Sequence, residues 1–496
     1  MPNKPACLTA LLAGRLGACY DGPTGCRFVT QRREVLVTEG VLVLALLLWG
    51  RCIPGFFQGE DHIWLDAAAH RFGEPLHWFT QRGFNMFTPL LNALAGVGWR
   101  LFGPNPLPYC AAPVLLLLWI TSCTAWLLRL WDWPLSARLP ALLAYVCLVQ
   151  YDQAVLNACC LGHPLVMAWV LPALVAATLY ARDGRRRHLL VLAGCVLCAL
   201  LTKEAGALAA PLAVIVLWYR HCPRERMVRV VVALAVVAAG YVALKLAICP
   251  SRALVDESMI DTRPHMIIAR AALMVREFLD PWRNRYALGV INVVPQPPAP
   301  FVVITVVGLA LLLTALWRGE RRTVVALLAM MFVTMLPYGV FGKRGEAVSL
   351  VSFSPRYLLC ASTFWALLLG LGWHQLYERL PRLRAHLATA GLVYLLAQVF
   401  VINCHMRSWM VTGELRRQAL AQVSALVPRR PDVRRVVVSG LSPMMADPLA
   451  SYGLLTGTEV VAMRREDLKT PPPDEGTVFT HLGVQPTAAA SQGDRP

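Results

Sequence analysis

Charge is what this sequence has least of. Only 15% of its 496 residues are Asp, Glu, Lys or Arg, where a soluble domain carries roughly a quarter. That shortage, with 57% hydrophobic residues and a mean hydropathy of +0.53, argues against a chain of separate soluble domains. Acidic residues are scarcer still, 29 against 47 Lys and Arg, a formal net charge of +18. On a soluble protein that excess would suggest nucleic acid. Here the arginines gather in short loops between apolar runs, so the charge reads as membrane topology and contact with anionic lipid. No nucleic-acid partner is expected.

Other signals are missing too. No small-residue cleavage site follows the first apolar run, which begins near Leu36 behind Arg15, Arg27, Arg32 and Arg33. That run reads as a retained helix with its basic flank inside. Most of the 15 cysteines sit within apolar runs, as do Cys123, Cys147, Cys195 and Cys198, and behave as small hydrophobes. Cys52, Cys249 and Cys404 fall near one expected face without a spacing that fixes a pairing. No internal repeat of solenoid or transporter type is visible.

What is present is a series of apolar runs of bilayer length. Within a bilayer, backbone polar groups must be satisfied inside each segment, so the runs are helices. The expectation is an all-α polytopic membrane protein with about eleven transmembrane helices. The first is 36–53. The rest are 108–130, 137–155, 163–180, 188–202, 204–219, 230–248, 301–317, 323–341, 357–373 and 387–403. The Asn85–Phe102 stretch reads as interfacial or re-entrant, because counting it as a span would put Arg182–Arg187 outside.

This gives a cytoplasmic segment 1–35 and a transmembrane domain 36–403 whose long first external loop, 54–107, carries interfacial helices. An external α/β appendage follows at 404–470, helical over Met406–Leu426, with strands at Val433–Val438 and Glu459–Met463. The tail 471–496, rich in Pro, Ala and Gly, points to disorder.

Four polar clusters stand out, and the expected topology puts all of them at the outer face, where ionisable groups at membrane depth need a reason. Glu60-Asp61 follows the first span. Either carboxylate could take a proton from a hydroxyl, and either could merely cap a helix. Lys203-Glu204 sits between two apolar runs, as a self-paired ion pair or as cavity-facing charges. Arg356-Tyr357 opens a late helix on the side where arginine is disfavoured, and suits a phosphate or a lipid headgroup. Asn157 and His163 lie between two spans, just beyond Asp152, in a structural or a binding role. Arg283, in the basic and aromatic stretch 282–286, could touch a sugar or a lipid phosphate.

In order along the chain, these residues resemble the membrane glycosyltransferases of the C-type fold, in the branch of bacterial enzymes similar to protein O-mannosyltransferases. The acidic pair Glu60-Asp61 matches the family's catalytic motif. Phe87-Thr88-Pro89-Leu90-Leu91 stands where the family has its Arg/Thr-Pro-Leu stretch, Lys203-Glu204-Ala205-Gly206 matches a Lys-Glu before a small-residue helix, and Arg356-Tyr357-Leu358 matches an Arg-Tyr-Leu. Two positions depart from the usual pattern: Glu60 where Asp is commoner, and Thr88 where Arg is commoner.

The resemblance implies an inverting transfer of a sugar from a polyprenyl-phosphate donor to an acceptor hydroxyl on a glycan, a lipid or a protein. It also implies a bacterial inner (plasma) membrane, with the site on the periplasmic or extracellular face. Asp61 or Glu60 would be the base. Arg356, Lys203 and Tyr357 would hold the donor phosphate, and His163, Asn157, Glu204 and Arg283 the sugar or acceptor. No cofactor is required, and a divalent metal is not predicted. A transporter or flippase for lipid-linked sugars, or an inactive scaffold, would fit the helix count as well.

Overall fold

The computed structural model describes residues 24–57, 61–72, 74–80, 87–248, 263–279, 298–340, 355–426, 435–439, 459–462 and 477–481. The chain divides into a short N-terminal unit, 1–40, and a unit 41–496 that holds the site described below.

Helix α1 (Thr24–Trp49) is followed by three short elements, α2 (Asp61–His70), α3 (Pro75–Thr80) and α4 (Pro89–Phe102). The next are α5 (Pro106–Leu130), the bent pair α6 (Leu135–Cys147) and α7 (Asp152–Leu156), α8 (Gly162–Asp183), α9 (Arg186–Thr202), α10 (Ala209–Tyr219) and α11 (Arg224–Ile248). The chain continues through α12 (Pro264–Leu279), α13 (Ala299–Arg318), α14 (Arg321–Val340), α15 (Leu359–Arg379) and α16 (Arg384–Leu426).

Among the described residues, eight helices are long and apolar enough to cross a membrane, or nine if α6 and α7 form one span bent by 47°. A helix of 25 residues such as α5 is about 37 Å long, beyond the roughly 30 Å of hydrocarbon it must cross. The other two expected spans are present as shorter helices, α9 of 17 residues and α10 of 11. The chain is an α-helical polytopic membrane protein.

Local chemistry sets the boundaries. Pro106 opens α5, and the Asn105 side chain accepts the N–H of Leu107 at 3.1 Å, which satisfies one of the orphan donors at a helix start. Gly184, with φ +68°, closes α8 in the left-handed region that favours glycine. Lys203 ends α9 in an extended conformation.

Helices α8 and α15 form the centre, each 83% buried over its most apolar window, whereas α11 is only 17% buried. The outer helices expose large apolar side chains, among them Leu190, Val236 and Trp317, the surface that lipid covers in a spanning protein.

Two expectations at the C-terminal end change. Helix α16 runs unbroken for 43 residues, so the expected boundary at 404 falls inside a helix, because the polar surface after Asn403 does not interrupt the helical periodicity. Beyond it, β1 (Arg435–Ser439) pairs in parallel with both β2 (Glu459–Ala462) and β3 (Thr477–His481), in the order β2-β1-β3. The composition of 471–496 points to disorder, yet Thr-Val-Phe-Thr-His within it forms β3. These β-branched and aromatic residues suit a strand, and the Pro- and Ala-rich flanks dilute their signal.

Candidate functional site

Alternating helices bring the starts of α2, α8 and α15 and the end of α9 to one end of the bundle. Cross-links within that end make this concrete. Arg51, just after α1, donates to Asn403 Oδ1 at 2.7 Å, and His405 on α16 pairs with Asp152 at the start of α7. At the opposite end Arg220 meets Asp132 at 3.4 Å.

Asp61 opens α2 and is 2% exposed. Its Oδ1 accepts the backbone N–H of Cys159 at 2.6 Å. Asn157 Oδ1 takes the same N–H at 3.2 Å and the Cys159 thiol at 3.0 Å. Asn157 therefore caps the 3₁₀ turn Ala158–Leu161, and that turn carries Asp61 on its first exposed donor. A carboxylate at such burial requires partners of this kind.

Arg356 reaches the same turn from the 3₁₀ segment Pro355–Leu358. Its backbone N–H donates to Gln153 Oε1 at 3.4 Å, and its guanidinium Nη1 donates to Cys160 Sγ at 3.5 Å. Asp61 and Arg356 both lie within electrostatic reach of the Cys160 thiol. The acid and the cation thus meet across two adjacent cysteines, although 295 residues separate them in sequence (356 − 61).

Lys203 completes the group. Its Nζ lies 3.0 Å from Nε2 of His163. An ammonium only donates, so Nε2 is the acceptor and Nδ1 carries the ring proton, facing the Tyr338 hydroxyl at 3.4 Å. Tyr338 stacks on Tyr357 with centroids 4.7 Å apart, and His163 meets Tyr357 edge-on at 5.5 Å. Arg356 lies over the Tyr357 ring at 5.4 Å, close enough for a cation–π contact. The charges of both Lys203 and Arg356 act on His163.

The backbone explains why Lys203 points there. After α9 the chain reverses through the 3₁₀ turn Glu204–Leu208. A Cβ on Gly206 would sit 2.1 Å from the carbonyl of Ala199, so only glycine lets the turn fold back so tightly. The Lys203 stem then runs past Gly162, where an added Cβ would meet its Cδ at 3.8 Å and Leu91 at 3.2 Å. The Phe87–Leu91 stretch therefore borders the same region.

Glu204 goes elsewhere. Its Oε1 accepts from Lys245 Nζ at 3.2 Å and from the Phe87 N–H at 3.3 Å. The two neighbours Lys203 and Glu204 do not pair with each other, and Glu204 is bound up in tying α11 to the Phe87 stretch.

Of the nine expected site residues, Asp61, Arg356, Lys203, Tyr357, His163 and Asn157 come together, and Glu204 stands beside them. Glu60 and Arg283 lie outside the described residues. Sequence reasoning missed Cys159, Cys160, Gln153, Tyr338 and Lys245. Only Lys245 left a usable trace, as the lone charge near the end of an apolar span. Among the described residues, no group of three or more His, Cys, Asp or Glu side chains is placed to hold a metal ion.

No family model matches the chain, and no curated protein does. Among solved structures, ArnT from Cupriavidus metallidurans bound to undecaprenyl phosphate superposes with a TM-score of 0.53 at 11% identity, over 85% of this chain and 85% of that one. The fold is that of the C-type membrane glycosyltransferases. The apo form of the same ArnT gives a TM-score of 0.52 at 11% identity, over 88% of this chain and 86% of that one.

Proposed function

We propose that this chain transfers a sugar from a polyprenyl-phosphate donor to an acceptor hydroxyl at the outer face of a bacterial plasma membrane, with inversion at the anomeric carbon. The observation that carries this reading is the meeting of a buried carboxylate, Asp61, and a guanidinium, Arg356, on one short turn, with Lys203 held at His163, three residues beyond Cys160. The shared fold supports it, since ArnT binds undecaprenyl phosphate at 85% mutual coverage.

Asp61 accepts the proton of the acceptor hydroxyl as its oxygen attacks the anomeric carbon. The bond from that carbon to the donor phosphate breaks, and the phosphate leaves with its negative charge. A phosphate ester oxygen is weakly basic, so it needs cations rather than a general acid, and Arg356 and Lys203 supply them. Arg356 can grip two phosphate oxygens at once, and Lys203 acts as a compact point charge. One displacement from the face opposite the phosphate inverts the sugar. A divalent ion has no part in this scheme.

The test is a transfer assay on purified protein with a panel of polyprenyl-phosphate sugars, comparing wild type with Asp61→Asn. Transfer by the wild type that the variant loses, with donor binding intact, supports the enzyme. Lipid movement across the membrane, with no transfer in either protein, would overturn it in favour of a transporter.

A further inference from the structure

Cys159 and Cys160 are adjacent thiols, and their sulfurs lie 4.0 Å apart. Neighbouring side chains on a helical turn usually diverge, so two sulfurs on one side form a built feature. Each has its own polar contact, Cys159 Sγ to Asn157 Oδ1 at 3.0 Å and Cys160 Sγ from Arg356 at 3.5 Å. Cys160 is buried and Cys159 half-buried, so the pair is approached from the Cys159 side.

A direct disulfide fits poorly here. The usual bridge spans Cα atoms about 4.4–6.8 Å apart, and neighbours across a trans peptide are held at about 3.8 Å. One atom inserted between the sulfurs removes that conflict. Thiolate sulfur is soft and selects soft partners.

We propose that Cys159 and Cys160 form a dithiol site for thiophilic trivalent metalloids of the arsenite and organoarsenoxide class. With an arsenoxide, two S–H bonds break and two As–S bonds form. The arsenoxide oxygen leaves as water with both protons, and arsenic stays trivalent. Occupancy draws the Cys160 sulfur from Arg356 and turns the Cys159 N–H away from Asp61, which disables the site. The binding claim stands on the thiol geometry alone; the loss of transfer rests on the function proposed above.

The test treats the full chain in detergent with one equivalent of phenylarsine oxide, then alkylates in denaturant and maps cysteine-containing peptides by mass spectrometry. Cys159 and Cys160 should be protected together, one arsenical should add per chain, and a small dithiol should reverse it where a monothiol does not. Cys159→Ser and Cys160→Ser should each lose the adduct, while Cys195→Ser and Cys198→Ser keep it. Protection of Cys195 and Cys198 instead, or alkylation of Cys159 unchanged by the arsenical, overturns the proposal without recourse to any variant. In the transfer assay the adduct should abolish turnover and the dithiol restore it. An adduct at this pair with full transfer overturns the disabling effect. No transfer by untreated protein overturns the proposed function and leaves the mapping result standing.

Discussion

Lys203 donates a hydrogen bond to His163: the ammonium sits 3.0 Å from Nε2, and the far side of the ring faces the Tyr338 hydroxyl at 3.4 Å. The imidazole is therefore the acceptor that holds the lysine in place. Replacing Lys203 with Met should lower transfer about 10²-fold, the cost of losing one preorganised electrostatic donor. His163→Gln, which keeps an acceptor, should retain more transfer than His163→Phe. The kcat/KM values of the three variants under one donor lipid check this.

Asp61 offers a cleaner separation of binding from chemistry. Asp61→Asn keeps the shape and the side-chain oxygen that accepts from Cys159, but lacks the basicity. Transfer should fall by about 10²–10⁴-fold, the range for loss of a general base, while the affinity for undecaprenyl phosphate stays within a few-fold. A parallel loss of lipid affinity would mean that the carboxylate is structural.

The helices were legible in the sequence because lipid demands long apolar runs, and each expected run is occupied by a helix. The bend between α6 and α7 was not. No glycine or proline lies between Ala141 and Leu161, and the break comes from Leu148 turning extended where tertiary contacts such as that of Val149 N–H with Gln398 Oε1 take over. The charged members of the site were legible because each is an ionisable residue in an apolar setting. Their partners were not. Cys159 contributes a backbone N–H, which no residue type announces, and Tyr338 meets His163 from 175 residues away. The Lys203-Glu204 dipeptide marks a polar break, but nothing in it says that its two charges point to different partners.

Arg356 joins several contacts at one place: its backbone N–H to Gln153, and its guanidinium to the Cys160 sulfur and over the Tyr357 ring. Arg356→Lys keeps the charge but loses the fork and the flat face over the tyrosine. Arg356→Met loses the charge and the contacts to the Cys160 sulfur and the Tyr357 ring, and keeps the backbone N–H to Gln153. Binding of undecaprenyl phosphate, followed by calorimetry in detergent, should weaken about 10-fold or more for Met, as expected for a charged hydrogen bond of roughly 1.5–3 kcal/mol. Lys should fall between Met and wild type. Equal affinities in all three proteins would remove Arg356 from the phosphate site.

Glu204 and Lys245 test whether the neighbouring ion pair holds the site's frame. Their side chains are 26% and 10% exposed and their charged atoms 3.2 Å apart. Glu204 also receives the Phe87 N–H at 3.3 Å, so the pair fastens α11 to the stretch that borders Lys203. Removing Lys245 takes this cation from the Glu204 carboxylate where water reaches it poorly. Such a loss costs up to about 3–5 kcal/mol for a fully buried pair, and partial exposure of Glu204 puts this one below that range. Lys245→Met alone should therefore destabilise more than the double variant Glu204→Gln, Lys245→Met, in which no charge is left unpaired. Thermal unfolding of the two single variants and the double variant in detergent gives the coupling, expected at about 1–2 kcal/mol. If the pair only frames the site, the double variant should keep donor binding and lose at most a few-fold in turnover. A double variant that folds as stably as wild type yet transfers no sugar would instead put Glu204 among the groups that touch substrate.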